Sequence, residues 1–337
     1  MTEVFELKPR IVAKVIAFSI CARTGQTIIT YELEYQRFIH AEFMTHREFS
    51  RNAMSSRAIP IKKMIEQVIN DPAKPVHWGK NQPGMQAHEE LTGDELERVQ
   101  DLWGYAADTM ADLAWAMDEA GAHKQVANRI LEPFQYMKTV MTTTSLVNWN
   151  WLRDHADADP TIRALAVAMI EALEAFGEPT VLQPGEWHVP YVERSWHTRK
   201  ITYHLKDEYG LVEIDKCFTL QEALEISSSC CAQVSYRLLD DTLEKAKMIY
   251  GKLVESEPVH ASPFEHQATP VAATEKEVCN DYGNGERYYF GKNINQPDPR
   301  TWQEGITHVT REGKLCSGNF TNFIQHRQLI PNNVKRG

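Results

Sequence analysis

No stretch of about 18 consecutive apolar residues occurs in this 337-residue chain, so no membrane-spanning helix is expected. The six cysteines, Cys21, Cys217, Cys230, Cys231, Cys279 and Cys316, contain no Cys-x-x-Cys spacing. That speaks against a zinc framework or a disulfide scaffold and suits a reducing cytoplasm. His88-Glu89-Glu90 lacks the second histidine of a zinc-protease helix, and no metal is expected. Met1–Arg10 carries Glu3, Glu6, Lys8 and Arg10 and none of the apolar core of a signal peptide. There is no excess of positive charge: 36 Lys and Arg face 46 Asp and Glu, for a net charge of −10. Duplex-binding proteins usually carry a basic bias, so a nucleic-acid polymer is not the expected partner. A small anionic substrate asks only for a local basic pocket.

Such a pocket is suggested by Thr45–Arg57. Its thirteen residues hold Arg47, Arg51, Arg57, His46, Asn52, Ser50, Ser55 and Ser56. Guanidinium forks match phosphate oxygens, and hydroxyl, amide and backbone N–H groups complete a cradle. Composition alone leaves a solvated arginine-rich loop equally open.

The spacing His-Arg-x-x-Ser-x-Asn-x-x-Ser-x-Arg closely resembles the signature of the flavin-dependent thymidylate synthases, the ThyX family. Thr45 stands where that signature has its first Arg, Ala53 where it has Glu, and Ala58 where it has Tyr. Arg129-Ile130-Leu131-Glu132-Pro133 is similar to a family segment whose Arg holds the nucleotide phosphate. Ser145-Leu146-Val147-Asn148, with Trp151-Leu152-Arg153, resembles a segment whose Asn contacts flavin and whose Arg contacts the pyrimidine. Asp157 takes the place of a flavin-contacting His there, with His155 two residues earlier. Val234-Ser235-Tyr236 and His260-Ala261-Ser262-Pro263-Phe264-Glu265-His266 resemble two further family motifs. In the family these precede the His-Arg motif; here they follow it by about two hundred residues. Circular permutation and duplication both account for this order. The resemblance covers roughly 31–60, 121–176 and 234–270.

The resemblance implies conversion of dUMP to dTMP, with methylenetetrahydrofolate giving the one-carbon unit and NADPH reducing bound FAD. It assigns Arg153 to the pyrimidine as the catalytic group, since a fixed guanidinium in a dry pocket stabilises enolate-like charge. It assigns Ser55, Arg57 and Arg129 to the 5′-phosphate. His46, Arg47, Ser50, Asn52, Asn148, Ser235 and His260 fall to the flavin and folate side. On the residues alone, Arg153 reads as a cation favoured at a helix C-terminus. Two other readings stay open: a different C5 modification, such as hydroxymethylation of dUMP or action on dCMP, and a non-catalytic nucleotide-binding homologue. A homo-oligomer, dimer or tetramer, is expected.

The expected fold is α+β, with helices packed on a mostly antiparallel sheet and two ThyX-like halves, 1–185 and 186–337, meeting at the Pro/Gly-rich 179–190. Alternation predicts strands at Val12–Ile20 and Thr27–Leu33. Helices are predicted to begin at Phe38 and to span Ile61–Ile69, Glu95–Ala120, Lys124–Met137, Leu146–Arg153 and Pro160–Phe176. Further helices are predicted at Leu220–Ser227, Asp240–Ser256 and Gly318–Leu329. Cys230–Tyr236 reads as strand or helix, and Thr269–Thr310 as irregular.

Overall fold

The computed structural model describes residues 9–197, 200–206, 210–213, 215–234, 239–272, 279–281, 287–289 and 302–335. It is a mixed α+β structure built on one five-stranded sheet. The strands are β1 (Val12–Cys21), β2 (Thr27–Gln36), β3 (Ser50–Ala53), β4 (Tyr136–Thr143) and β5 (Thr180–Leu182). Their order is β3-β4-β2-β1-β5, antiparallel except for the parallel β1–β5 pair.

Side-chain alternation gives the sheet two different faces. Tyr31, Leu33 and Tyr35 of β2, with Met137 and Met141 of β4, point into an apolar core. Helices α1 (His40–Phe43), α5 (Val147–Arg153) and α6 (Pro160–Phe176) close that side. Tyr31 Oη donates to the Met169 carbonyl of α6 at 3.0 Å. Asp159 caps α6, its carboxylate accepting from the N–H groups of Thr161 and Ile162. Gly177 ends the helix at φ +89°, a conformation that carries no penalty without a Cβ. A second core joins α2 (Ile61–Asn70) to α3 (Gly93–Glu119) and α4 (Lys124–Ala127).

The other face is polar: Thr30, Glu32 and Glu34 of β2, Thr142 of β4, and Ser50 and Asn52 of β3. Residues from beyond 185 lie against it. His188 bonds Thr30 and Ser19, Tyr191 Oη donates to Glu32 at 3.1 Å, and Asn52 Nδ2 donates to the Cys231 carbonyl at 3.0 Å. These residues flank or belong to the hairpin β6 (Glu193–His197) and β7 (Lys200–His204), and the helix pair α7 (Leu220–Ala232) and α8 (Leu243–Glu255). Among the described residues, no helix is long and apolar enough to cross a membrane.

Two expected helices are not formed. Lys124–Met137 is the short α4, a 3-10 turn at Glu132–Phe134, and the first residues of β4. β4 exists because β2 and β3 pair with it on both sides, a non-local gain that outweighs the helix preference of Met and Lys. Likewise Gly318–Leu329 holds strands Phe320–Thr321 and Phe323–Gln325 and a 3-10 turn at His326–Leu329. Phe323–Gln325 pairs with Ala268–Pro270. At Cys230–Ala232 the chain is helical, because α7 continues through it.

Candidate functional site

β3 divides the Thr45–Arg57 segment. Ser50 and Asn52 point to the polar face, and Arg51 points to the opposite side. Arg51 Nη1 donates to the carbonyls of Phe43, Met44 and His46, at 3.3, 3.1 and 2.9 Å. It thereby satisfies the open end of α1. His46 is buried against Trp149, Phe49 and Arg153. Arg153 Nε donates to His46 Nε2 at 2.9 Å, and Glu42 pairs with Arg153 Nη1. Burial first, then the charges of Arg153 and Arg51, push the His46 pKa down to about 4. The imidazole is therefore neutral near pH 7, with its proton on Nδ1.

At the other end of β3 lies a second group. The Ser55–Ala58 turn is pinned from below by Asn128, whose Nδ2 donates to the Ser56 and Ile59 carbonyls at 2.8 and 3.1 Å. Asn128 is fully buried and immediately precedes Arg129. The backbone turn that carries Ser55 and Arg57 is thereby tied to the segment that carries Arg129. Ser55 Oγ accepts from the Arg57 N–H at 3.3 Å. Lys124 Nζ donates to the Ala58 carbonyl at 3.1 Å, adding a third cation. Arg57 and Arg129 are both exposed. Arg129 is held by Glu132 at 2.9 Å, which also takes Arg37 at 2.8 Å. An exposed pair of this kind is worth at most about 1 kcal/mol, so an incoming dianion competes well for Arg129. A cavity of about 750 Å³ opens beside the turn, lined by Met54, Ala58, Met64 and Tyr136, by the cations Arg10, Lys63 and Lys138 and by the carboxylates Glu34, Glu66 and Asp71; Ser55, Arg57 and Arg129 are not in its lining.

Arg153 lies against His46, which precedes β3 in the chain, whereas Arg57 follows β3 and Arg129 adjoins Asn128. Extended chain rises about 3.3 Å per residue, so Phe49 to Met54 alone spans on the order of 15 Å.

The residues expected on the flavin side each have their own surroundings. Ser50 Oγ donates to Asn319 Oδ1 at 3.0 Å and accepts from Gln325 Nε2 at 3.1 Å. Asn52 is turned to Cys231, and His46 to Arg153. Arg47 and Asn148 are exposed, as is His260 on the far side of α8. Ser235 lies outside the described residues. Among the described residues, no group of three or more His, Cys, Asp or Glu is arranged to hold a metal.

Two motifs distant in sequence do meet. Gln325 Nε2, besides its bond to Ser50, lies 3.4 Å from the Glu265 carbonyl, and Arg327 pairs with Glu265. Thr142 Oγ1 bonds His266 Nδ1 at 2.9 Å. The His260–His266 segment thus packs behind the strand that carries the Thr45–Arg57 motif. Asn128, Lys124 and Glu42 carry no assignment from the sequence. Asn128 adjoins Arg129 in the chain, which is a usable signal; nothing local marks the other two.

No protein-family model and no curated protein matches the chain. Two solved structures similar to it are of the UMP/dUMP methylase PolB from Streptomyces cacaoi, bound with 5-Br UMP and with 5-Br dUMP. Both are 15% identical to it. The first match covers 51% of this chain and 97% of that one, at a TM-score of 0.38. The second covers 50% and 90%, at 0.39. Likeness of this size is too slight to carry an argument.

Proposed function

We propose that the protein binds a deoxypyrimidine monophosphate and modifies C5 of its base. The observation that supports this reading is Asn128, which ties the turn carrying Ser55 and Arg57 to the segment carrying Arg129, beside an open cavity. The 5′-phosphate sits between Arg57 and Arg129, with Lys124 adding charge, and the base enters the cavity. Arg153, fixed by His46 and Glu42, stabilises the negative charge that develops on the ring when C5 acts as nucleophile. No cysteine stands within Thr45–Arg57 or beside Arg129 or Arg153 in the sequence.

The separation along β3 favours a site shared between copies. One chain supplies the cradle, and a second brings its Arg153 to the base. This makes a homo-oligomer, dimer or tetramer, part of the function. Among C5 reactions we put first the one that the ThyX resemblance implies, dUMP to dTMP with methylenetetrahydrofolate, FAD and NADPH. The flavin supplies the hydride when bound; the residues described here bind and orient the nucleotide. A second reading is favoured by Thr45. Its hydroxyl donates back to the Glu42 carbonyl at 2.7 Å, so the position offers no charge where the family has Arg. A different C5 substituent, or dCMP as substrate, follows from that loss.

Mass spectrometry of the protein incubated with dUMP or dCMP, FAD, NADPH and methylenetetrahydrofolate tests the reaction. A mass gain at the base supports it; intact nucleotide with tight binding points to a non-catalytic binder. Mixing Arg57→Ala with Arg153→Ala tests the shared site. Restored turnover from two inactive variants is expected, and none would place both arginines in the same copy's site or outside it.

A further inference from the structure

Five side chains form a continuous hydrogen-bonded line through the interior. Ser19 Oγ lies 2.9 Å from His188 Nδ1, and His188 Nε2 lies 2.8 Å from Thr30 Oγ1. Thr30 Oγ1 lies 2.7 Å from Thr142 Oγ1, and Thr142 Oγ1 lies 2.9 Å from His266 Nδ1. All five are buried, Thr30, Thr142 and His266 completely. The line crosses from β1 through β2 to β4 and ends on the segment beyond 260. His266 Nε2, at its end, is buried without a partner among the described residues.

Proton counting restricts the line. Burial pushes His188 and His266 down to about 3, so near pH 7 each ring is neutral and carries one N–H. Each hydroxyl has one proton. Were both rings to accept, Thr30 and Thr142 would each give their proton away from the other. Their oxygens would then meet at 2.7 Å with no proton between them, which is repulsive. Were both rings to donate inward, two groups would be stranded, one threonine hydroxyl proton and the His266 Nε2 lone pair, at about 1–3 kcal/mol for the proton. In the other two arrangements every donor points the same way. Running from His266 towards Ser19, the line strands two groups, the Ser19 hydroxyl proton and the His266 Nε2 lone pair. Running from Ser19 towards His266, it strands only the His266 Nε2 proton.

We propose that the line runs from Ser19 to His266, and that Ser19, His188, Thr30 and Thr142 are positioning residues holding His266 as a buried Nε2–H donor. What meets His266 there is then a hydrogen-bond acceptor, a water or carbonyl-type oxygen. The inference stands apart from the nucleotide reading above.

Nitrogen-15 NMR of histidine-labelled wild-type protein near neutral pH reads the tautomers directly. The expected result is the Nε2–H form for both His188 and His266. Opposite tautomers in the two rings overturn the line itself, and Nδ1–H in both overturns its direction. In Thr142→Val, His266 loses its donor at Nδ1, and its Nδ1–H form should grow by at least severalfold. An unchanged His266 spectrum in that variant, folded as judged by the remaining resonances, overturns the proposal. The wild-type measurement decides alone should the variant not fold.

Discussion

Arg153 Nε donates to His46 Nε2 at 2.9 Å, which ties the end of α5 to the turn before β3 and sets the tautomer of His46. Arg153→Lys removes the planar fork and with it this bond, because an ammonium cannot present donors to His46 and Glu42 in one plane. Loss of turnover by at least tenfold, with little change in nucleotide affinity, is expected. Steady-state kinetics beside equilibrium dialysis of dUMP separates the two.

Burial sets the pH range of stability. His46 is held at about 4, and His188 and His266 at about 3. In the unfolded chain a histidine titrates near about 6.5, so below that pH the unfolded state takes up protons that the folded state refuses. Their contribution is complete above about pH 6.5 and is lost as pH falls towards the folded values. Melting temperatures should be flat on these groups' account above neutrality and should fall on acidification from about 6.5 to 4. A flat acid limb would show that these rings protonate in the folded protein without cost.

Asn128→Ala should do two things. It deletes two hydrogen bonds to the Ser55–Ile59 turn from a fully buried site, at a cost of about 2–3 kcal/mol in urea unfolding. It also frees the turn from the segment that carries Arg129, so on the proposed function dUMP affinity should drop although neither Arg57 nor Arg129 has changed. Unaltered affinity would mean that the turn holds its shape without Asn128.

Gln325→Ala removes the amide shared by Ser50, Asn319 and Glu265, at a position 1% exposed. A loss of about 1–3 kcal/mol is expected. Hydrogen exchange should rise in Ala268–Pro270 and β3 more than in α6, since Gln325 joins the first two. Uniform change across the chain would count against this local role.

Trp149→Ala empties the space between Phe43, Phe49 and His46. The expected cost is about 3–5 kcal/mol by chemical denaturation, with His46 freed to titrate closer to its ordinary value. A His46 pKa unchanged in this variant would show that Trp149 is not what keeps the ring dry.

Local pattern made much of the fold legible. The β-branched alternation of Val12–Cys21 and Thr27–Gln36 marks β1 and β2, and 3.6-residue periodicity marks α2, α3 and α6. Pro160 and Gly177 bracket α6 at the positions where each residue is least costly. β4 was not legible, because Met137 and Lys138 favour helix locally and Thr142–Ser145 looks like a capping run. Pairing with β2 and β3, strands about a hundred residues earlier, makes it a strand.

By itself the sequence determined which chemistry is available: an arginine- and serine-rich segment, a second arginine after Asn128, and a third at the end of α5. It also determined that alternation in β2 would leave one face of the sheet polar. Only the tertiary structure decided which of those groups share a place. The period of two in β3 sends Ser50 and Asn52 to one face and Arg51 to the other, so neighbours in the motif become opposites in space. Hydrogen bonds from Asn128 to the Ser56 and Ile59 carbonyls tie the turn that carries Arg57 to the segment that carries Arg129, while Arg153 is fixed by His46 before β3. Such contacts depend on strand pairing between distant residues, and no local spacing encodes them.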